Sequence, residues 1–431
     1  MDVSKDFLTE IIYPDNIEKY NSSKPPLKQS DSTTKIAYFV SNVILSLVRK
    51  GYKIEKFNME GLKPPYILLS NHMQMMDIIM LFKATYPHHI NIVTAINAYH
   101  LFPKIMEKAG CICTRKFTTD ISLVRACRKV LKEYGDVLCM YPEARYSPDG
   151  TQSSLPDATG KLVKKSGVPL VIMLNHGNHI NTPFWTDYTY RKTPYYATLK
   201  QVLTAEQVQE MSVDEINAVI RKEITYDDLK WQKDNNIIIK HRKRAKGLHK
   251  LLYQCPNCKT EHKMNSKGIH LFCEECGKKW EMTTLGELKS LDGNTEFSHI
   301  PDWYKWEREN VRNELLKGDY HYEEDIEIVS LPNVNDFVPL GKAKVSHSID
   351  GFIIEGHYNG HNYRIERPSD GLLGLYIEYG FHLLKGKDCF EISTKNDSFF
   401  CIPQKKDIIT KLSLATEEAY KIVNEHVVSK S

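Results

Sequence analysis

Apolar positions along the 431-residue chain follow two rhythms, and the change from one to the other divides it. From Tyr52 to about Tyr196, short apolar runs at residues 66–69, 90–94, 111–114, 137–141 and 170–174 alternate with stretches of helical spacing. That alternation predicts an α/β layer with a mainly parallel sheet. Between the third and fourth runs, Ile121, Val124, Cys127, Val130 and Leu131 mark a helix, with Thr118, Thr119 and Asp120 available as its cap. Upstream, Ile36, Phe39, Val40, Val43, Ile44, Leu47 and Val48 recur at three- and four-residue steps, flanked by Lys35, Arg49 and Lys50. This amphipathic helix is too short to span a bilayer. It can pack on a sheet or lie in a membrane interface with its basic ends at the headgroups, and the two are compatible.

The last hundred-odd residues are different in character. Strand-like stretches at 326–330, 343–347, 352–356, 363–366, 375–379, 382–385, 389–394 and 399–402 are joined by turns such as Asp350-Gly351 and Asn359-Gly360, and a helix over 406–426 follows. Many antiparallel strands capped by one helix resemble a pleckstrin-homology-type barrel, a module that binds lipid headgroups or packs on its neighbour. Between the two regions lie polar helical sequence from about Thr204 to Gln232, with Ser212-Val-Asp-Glu215 as a capping box, and a helix from Pro301 to about Lys317. Lys240-His-Arg-Lys-Arg244-Ala-Lys246 reads as a solvated run, or as a contact to anionic lipid or an acidic carrier protein. Residues 1–30, with Asn21-Ser-Ser-Lys-Pro-Pro26, read as a flexible or loosely docked arm.

Composition narrows this only slightly. A chain 41% apolar and 26% charged has room for two to four domains with real cores, and a net charge of +4 leaves partners to be inferred from local patches. No run of eighteen apolar residues exists and the first 24 residues are polar, so neither a transmembrane span nor a secretory signal is expected. Four of the ten cysteines have metal-ligand spacing and the rest are scattered, which suits a reducing cytosol.

The candidate chemistry sits where apolar runs end. Residues 66–69 deliver Ser70-Asn71-His72, and Asp77 opens the next apolar run. On one helix His72 and Asp77 would stand about 140° apart. The pair is productive only across a junction, with His72 in the turn and Asp77 in the first helical turn, where the carboxylate fixes the ring's tautomer and frees the other nitrogen as a base. Arg115 and Lys116 leave the third run; Glu143 and Arg145 leave the fourth. A guanidinium at such a strand end suits a phosphate monoester, through two parallel charge-assisted hydrogen bonds, though pairing of Arg115 with Glu143 is the plain structural alternative. Asn175-His176-Gly-Asn-His179 has no third ligand or paired carboxylate nearby and is set aside as a metal site, and His88-His89 reads as loop surface.

His72-x4-Asp77 after a strand, Gly110-Cys-Ile-Cys-Thr-Arg115, and Pro142-Glu143-Ala-Arg145-Tyr146-Ser147 resemble, in order, three signatures of the glycerolipid acyltransferases of the 1-acylglycerol-3-phosphate acyltransferase type. Val168-Pro-Leu-Val171 is similar to the fourth, and the likeness covers about residues 36–200. Three departures stand out: Ala144 where glycine is usual, Arg145 one residue early with Tyr146 in its place, and Gln74 where serine is common. The resemblance implies transfer of an acyl group from acyl-CoA or acyl carrier protein to a lysophospholipid hydroxyl. In it His72 is the general base and Asp77 its orienter, with Arg115, Arg145, Glu143 and Asn71 on the acceptor. No serine or cysteine stands in a nucleophile elbow, which disfavours a covalent intermediate.

Cys255-Pro-Asn-Cys258 and Cys273-Glu-Glu-Cys276, fourteen residues apart, have the spacing of a tetrahedral four-thiolate zinc ribbon, a closed and therefore structural site. No aromatic and basic stripe decorates it, so nucleic acid is not an expected partner. The domain plan is thus an arm (1–30), an acyltransferase-like α/β domain (31–230), a linker with zinc ribbon and helix (231–320) and a β-rich pleckstrin-homology-like domain (321–431). The expected setting is cytoplasmic, peripheral on the inner membrane face. A catalytically silent lipid-binding or docking protein on the same scaffold is the rival reading.

Overall fold

The computed structural model describes residues 8–118, 120–186 and 190–428, the side chains of 426–428 excepted. Its first layer is a seven-stranded sheet of β1 (Tyr52–Phe57), β2 (Ile67–Ser70), β3 (Ile90–Ala95), β4 (Ile112–Thr114), β5 (Val137–Met140), β6 (Leu170–His176) and β7 (Tyr195–Leu203). The order is β1-β7-β6-β2-β5-β3-β4, with every neighbouring pair parallel except β6 and β7. Side chains alternate across a strand, so Ile67 and Leu69 face one core while Tyr66 and Leu68 face another. Helices cover both faces, which is why β2 is buried along its whole length. On one side lie α1 (Asp31–Ser46) and α2 (Met76–Thr85), and on the other α3 (Ile121–Lys129), α4 (Ala158–Ser166) and α5 (Val213–Ile224). Asp120 caps α3 through Ser122 N, Thr119 lies outside the described residues, and Ser212 forms the capping box at α5.

The chain next forms a small antiparallel sheet of β8 (Met264–Lys267), β9 (His270–Cys273), β10 (Lys279–Met282) and β11 (Leu288–Ser290), followed by α6 (Ile300–Lys317). The C-terminal domain is a second seven-stranded sheet, fully antiparallel: β12 (Tyr322–Ser330), β13 (Val338–Ser348), β14 (Gly351–Tyr358), β15 (His361–Pro368), β16 (Tyr376–Phe381), β17 (Lys387–Ser393) and β18 (Ser398–Ile402). Its order is β15-β14-β13-β12-β18-β17-β16, and α7 (Ile409–Val428) packs on it and against α6.

Two regions differ from their sequence pattern. Residues 382–385 were expected to form a strand but belong to the β16–β17 hairpin loop. His382–Leu384 form a 3-10 turn, Lys385 and Gly386 take positive φ, and Leu384 drops into the core from the loop. The amino-terminal arm is tied down from residue 8 onward. Leu8 pairs with Tyr363, Tyr13 Oη bonds Ser330 Oγ at 2.6 Å and also Asp397, and Tyr20 N donates to Pro332 O at 2.9 Å.

Candidate active site

β2, β5 and β6 lie side by side and parallel, so their carboxyl ends open on one rim. At the end of β2, Asn71 Nδ2 donates to Asn175 O at 2.9 Å while Asn175 N donates to Asn71 Oδ1 at 2.8 Å. This reciprocal pair staples the ends of β2 and β6. It occupies the fully buried Asn71, which the motif had placed on the acceptor.

His72 follows in the turn, and Asp77 stands in the first turn of α2. Asp77 Oδ2 accepts from Met73 N at 2.6 Å and Gln74 N at 3.0 Å, supplying the acceptor that a helix amino terminus lacks. It also lies 3.0 Å from His72 Nδ1. A carboxylate there sets Nδ1 as the protonated nitrogen and leaves the lone pair on Nε2. Nε2 makes no hydrogen bond among the described residues, and the His72 side chain is 18% exposed while Asp77 is fully buried. The imidazole stacks on Tyr141, with ring centroids 4.1 Å apart, and leans on Tyr146 at 4.4 Å.

The other oxygen of Asp77 accepts from Asn178 Nδ2, a contact that the sequence reading missed. Asn178 opens the single helical turn Asn178–Asn181 directly after β6. Its own carbonyl accepts from Gln74 Nε2 at 3.1 Å, so the turn after β2 and the turn after β6 lock together. The available signal was position: Asn178 leaves the strand beside the one that delivers His72. The neighbouring histidines serve packing. His176 stacks on Trp231 and Tyr196, and His179 is buried edge-on to Trp185.

Glu143, just past β5, braces the same turn from below. It accepts from His72 N at 3.4 Å, Ser153 N at 2.8 Å and Tyr226 Oη at 3.1 Å. Burial pushes its carboxyl up to about 7 against the pull of those donors. It therefore fixes the His72 backbone rather than an acceptor or an arginine.

A family model described as Acyltransferase matches residues 49–173, the stretch from β1 into β6 that contains these elements. Those residues carry an acyltransferase domain. Among solved structures, the 1-acyl-sn-glycerophosphate (LPA) acyltransferase PlsC from Thermotoga maritima is similar over 44% of this chain and 78% of that one, at 16% identity and a TM-score of 0.37. No curated protein matches.

In this acyltransferase domain the three departures have visible consequences. Ala144 has φ of 56°, a left-handed conformation that favours the glycine usual there. Tyr146 lays its ring against His72, and Arg145 turns the opposite way. Its Nη1 donates to Leu375 O at 3.0 Å and Ser413 Oγ at 2.9 Å, and its Nη2 to Glu417. Burial disfavours the charged guanidinium, but the Glu417 carboxylate outweighs it and holds the Arg145 pKa above its ordinary value.

Arg115 also departs from its expected role. Its Nη2 donates to three carbonyls outside the acyltransferase domain, Pro332 at 2.8 Å, Asn396 at 3.0 Å and Leu331 at 3.5 Å. Neither arginine reaches His72, and Arg115 does not pair with Glu143. The physical reason is that the C-terminal domain packs on this rim and supplies the acceptors. The four cysteines do come together: the four sulfurs all lie within 4.8 Å of one another, with Cys255 to Cys276 at 3.8 Å and Cys258 to Cys273 at 3.7 Å. They form a cluster that could hold a metal ion.

Proposed function

We propose that the acyltransferase domain moves a fatty acyl group from an acyl thioester, acyl-CoA or acyl carrier protein, to the hydroxyl of a lysolipid in phospholipid biosynthesis. The observation that carries this reading is the His72–Asp77 pair with its outer nitrogen open. His72 Nε2 takes the hydroxyl proton as the acceptor oxygen bonds to the thioester carbonyl carbon. The carbon–sulfur bond then breaks, and the proton passes to the departing thiolate. No serine or cysteine side chain hydrogen-bonds His72 among the described residues, which favours direct attack over an acyl-enzyme. A positioned base of this kind contributes roughly 10²–10⁴ in rate.

The membrane is the proposed place of work, from the cytoplasmic side. One face of α1, with its C-cap Leu47, leaves Ile36, Phe39, Val40, Val43 and Leu47 exposed, flanked by Lys35, Arg49 and Lys50. Such a face suits the interface plane. No helix among the described residues is long and apolar enough to cross a membrane. We assign structural zinc to Cys255, Cys258, Cys273 and Cys276, because a tetrahedron with zinc–sulfur bonds of about 2.3 Å has edges of about 3.8 Å. The strand order of the last domain and its closing helix support a pleckstrin-homology-like reading, with packing on the acyltransferase rim as its role.

The test is labelled acyl thioester with a panel of lysolipids, wild type beside His72→Ala. Product from wild type alone supports the assignment. Equal product from both proteins refutes the role of His72. The occupied arginines favour a second reading, a catalytically silent lipid-binding or docking protein; absence of product from a folded wild type with every acceptor would favour that one.

A further inference from the structure

The cations that leave β4 and β5 on the same rim as the active-site turn are held by the C-terminal domain. Arg115, Lys116 and Arg145 are all buried. Arg115 is met by three backbone carbonyls, and Arg145 by a carbonyl, a hydroxyl and the Glu417 carboxylate. Lys116 Nζ donates to Asn97 Oδ1 at 2.9 Å and Glu391 Oε2 at 3.1 Å, and sits 3.1 Å from the centre of the Tyr376 ring.

The seam that buries them is tight. Arg367 Nη2 donates to Phe117 O at 2.8 Å across it, and a Cβ on Gly374 would stand 3.2 Å from the Phe117 ring. Glu417 is held down to about 2: burial alone would raise it, and Arg145 with Arg308 overrides that. The groups facing His72 are instead aromatic. Tyr141 and Tyr146 touch its ring, Phe184 lies 6.5 Å beyond Tyr146, and Tyr379 of the C-terminal domain 5.2 Å beyond Phe184.

Resting on the proposed acyl transfer, we infer that the acceptor is a lysolipid whose headgroup bears no phosphate monoester, its hydroxyl presented to His72 across aromatic faces instead of from a cationic cradle. A dianionic phosphate entering this site would find Lys116 and Arg145 already paired with buried carboxylates, and Arg115 buried with its Nη2 on three carbonyls, although its Nε has no acceptor. Freeing Lys116 would strand Glu391 as a buried charge, which is strongly unfavourable; freeing Arg145 would leave Glu417 to Arg308 alone, and freeing Arg115 would take the donor from three carbonyls. An uncharged glycerol or sugar headgroup asks for no such exchange.

The experiment compares 1-acylglycerol, a glycosylated 1-acylglycerol, 1-acylglycerol-3-phosphocholine and 1-acylglycerol-3-phosphate as acceptors for the full chain, with one labelled acyl thioester. At least a tenfold higher kcat/KM for an acceptor without a phosphate monoester is expected, and a preference for the phosphate monoester overturns the inference while leaving acyl transfer intact. Failure with all four overturns the inference together with the reading it rests on. The Arg115→Lys variant gives a second readout, because it removes the paired donors a phosphate would use. A variant that folds with KM for each acceptor within twofold of wild type is expected; a tenfold rise in KM for the phosphate monoester alone, at unchanged melting temperature, also overturns the inference.

Discussion

Replacing Asn178 by alanine removes the donor on the second oxygen of Asp77 and touches neither His72 nor the space where an acceptor would stand. Both partners are fully buried, so water does not replace the lost contact. A hydrogen bond to a charged group in that setting is worth about 1.5–3 kcal/mol. Asp77 would then be held only through Oδ2, by Met73 N, Gln74 N and His72, and would be free to rotate about that anchor. If the loss falls on the transition state, kcat drops roughly 10- to 150-fold, since each 1.36 kcal/mol is a factor of ten. KM for the acceptor stays within about twofold, because the amide has no contact with substrate. The assay is steady-state acyl transfer with purified Asn178→Ala, read as kcat and KM separately, beside a thermal melt. A kcat within threefold of wild type in a protein with unchanged melting temperature would refute the reasoning, since Asp77 would then be positioned without the strand-end lock.

Three further outcomes are expected. Chelation should release one zinc per chain, measured by elemental analysis, and lower the melting temperature, whereas a chain with no bound zinc and a chelator-insensitive melt rejects the assignment to the four cysteines. Ala144→Gly should raise stability by about 0.5–1 kcal/mol, read from the urea midpoint, because the left-handed backbone costs a non-glycine residue about 1–2 kcal/mol and glycine returns part of that as chain entropy; a lowered midpoint would count against strain at this position. Burial pushes Glu378 up to about 7, so between pH 4.5 and 7 the folded chain keeps a proton that the unfolded chain has released, and stability falls as pH rises through that window. Glu378→Gln, which keeps the acceptor for Tyr376 Oη, should remove that fall, on the order of 3 kcal/mol across the window, and an unaltered pH dependence of the urea midpoint would reject it.

What the sequence could reveal was set by how far each partner lay along the chain. His72 and Asp77 are five residues apart across one junction, so the period change from strand to helix was enough to bring them together. Asn178 is 101 residues from Asp77, yet it leaves the adjacent parallel strand, and strand order would have pointed to it. Arg115 and Arg145 were legible as strand-end cations but not as to what faces them, because their acceptors Pro332 and Glu417 lie 217 and 272 residues further on. β1 escaped notice because an exposed edge strand with Lys53, Glu55 and Lys56 has no apolar rhythm, and β7 because its alternation follows the last strong apolar run. The four cysteines needed no long-range information beyond their spacing, since each knuckle supplies two sulfurs from one turn.

The same three cations decide whether the C-terminal domain is an appendage or part of the acyltransferase domain. A buried guanidinium or ammonium is tolerated only when its partners are in place, and removing one side of such a pair typically costs 3–5 kcal/mol. Here the acyltransferase domain contributes the cations, and the segment from Leu331 to Glu417 contributes nearly all of their partners, Asn97 being the exception. Cutting the chain before residue 321 would therefore expose three unpaired cations together with the apolar surface that Phe381, Leu384, Phe400 and Ile402 cover. The arm fastens the arrangement from the other side, through Tyr13 to Ser330 and Tyr20 to Pro332. Three strand-end cations have in this chain become folding contacts, and on the proposed reading the His72 imidazole selects its acceptor by shape and aromatic surface.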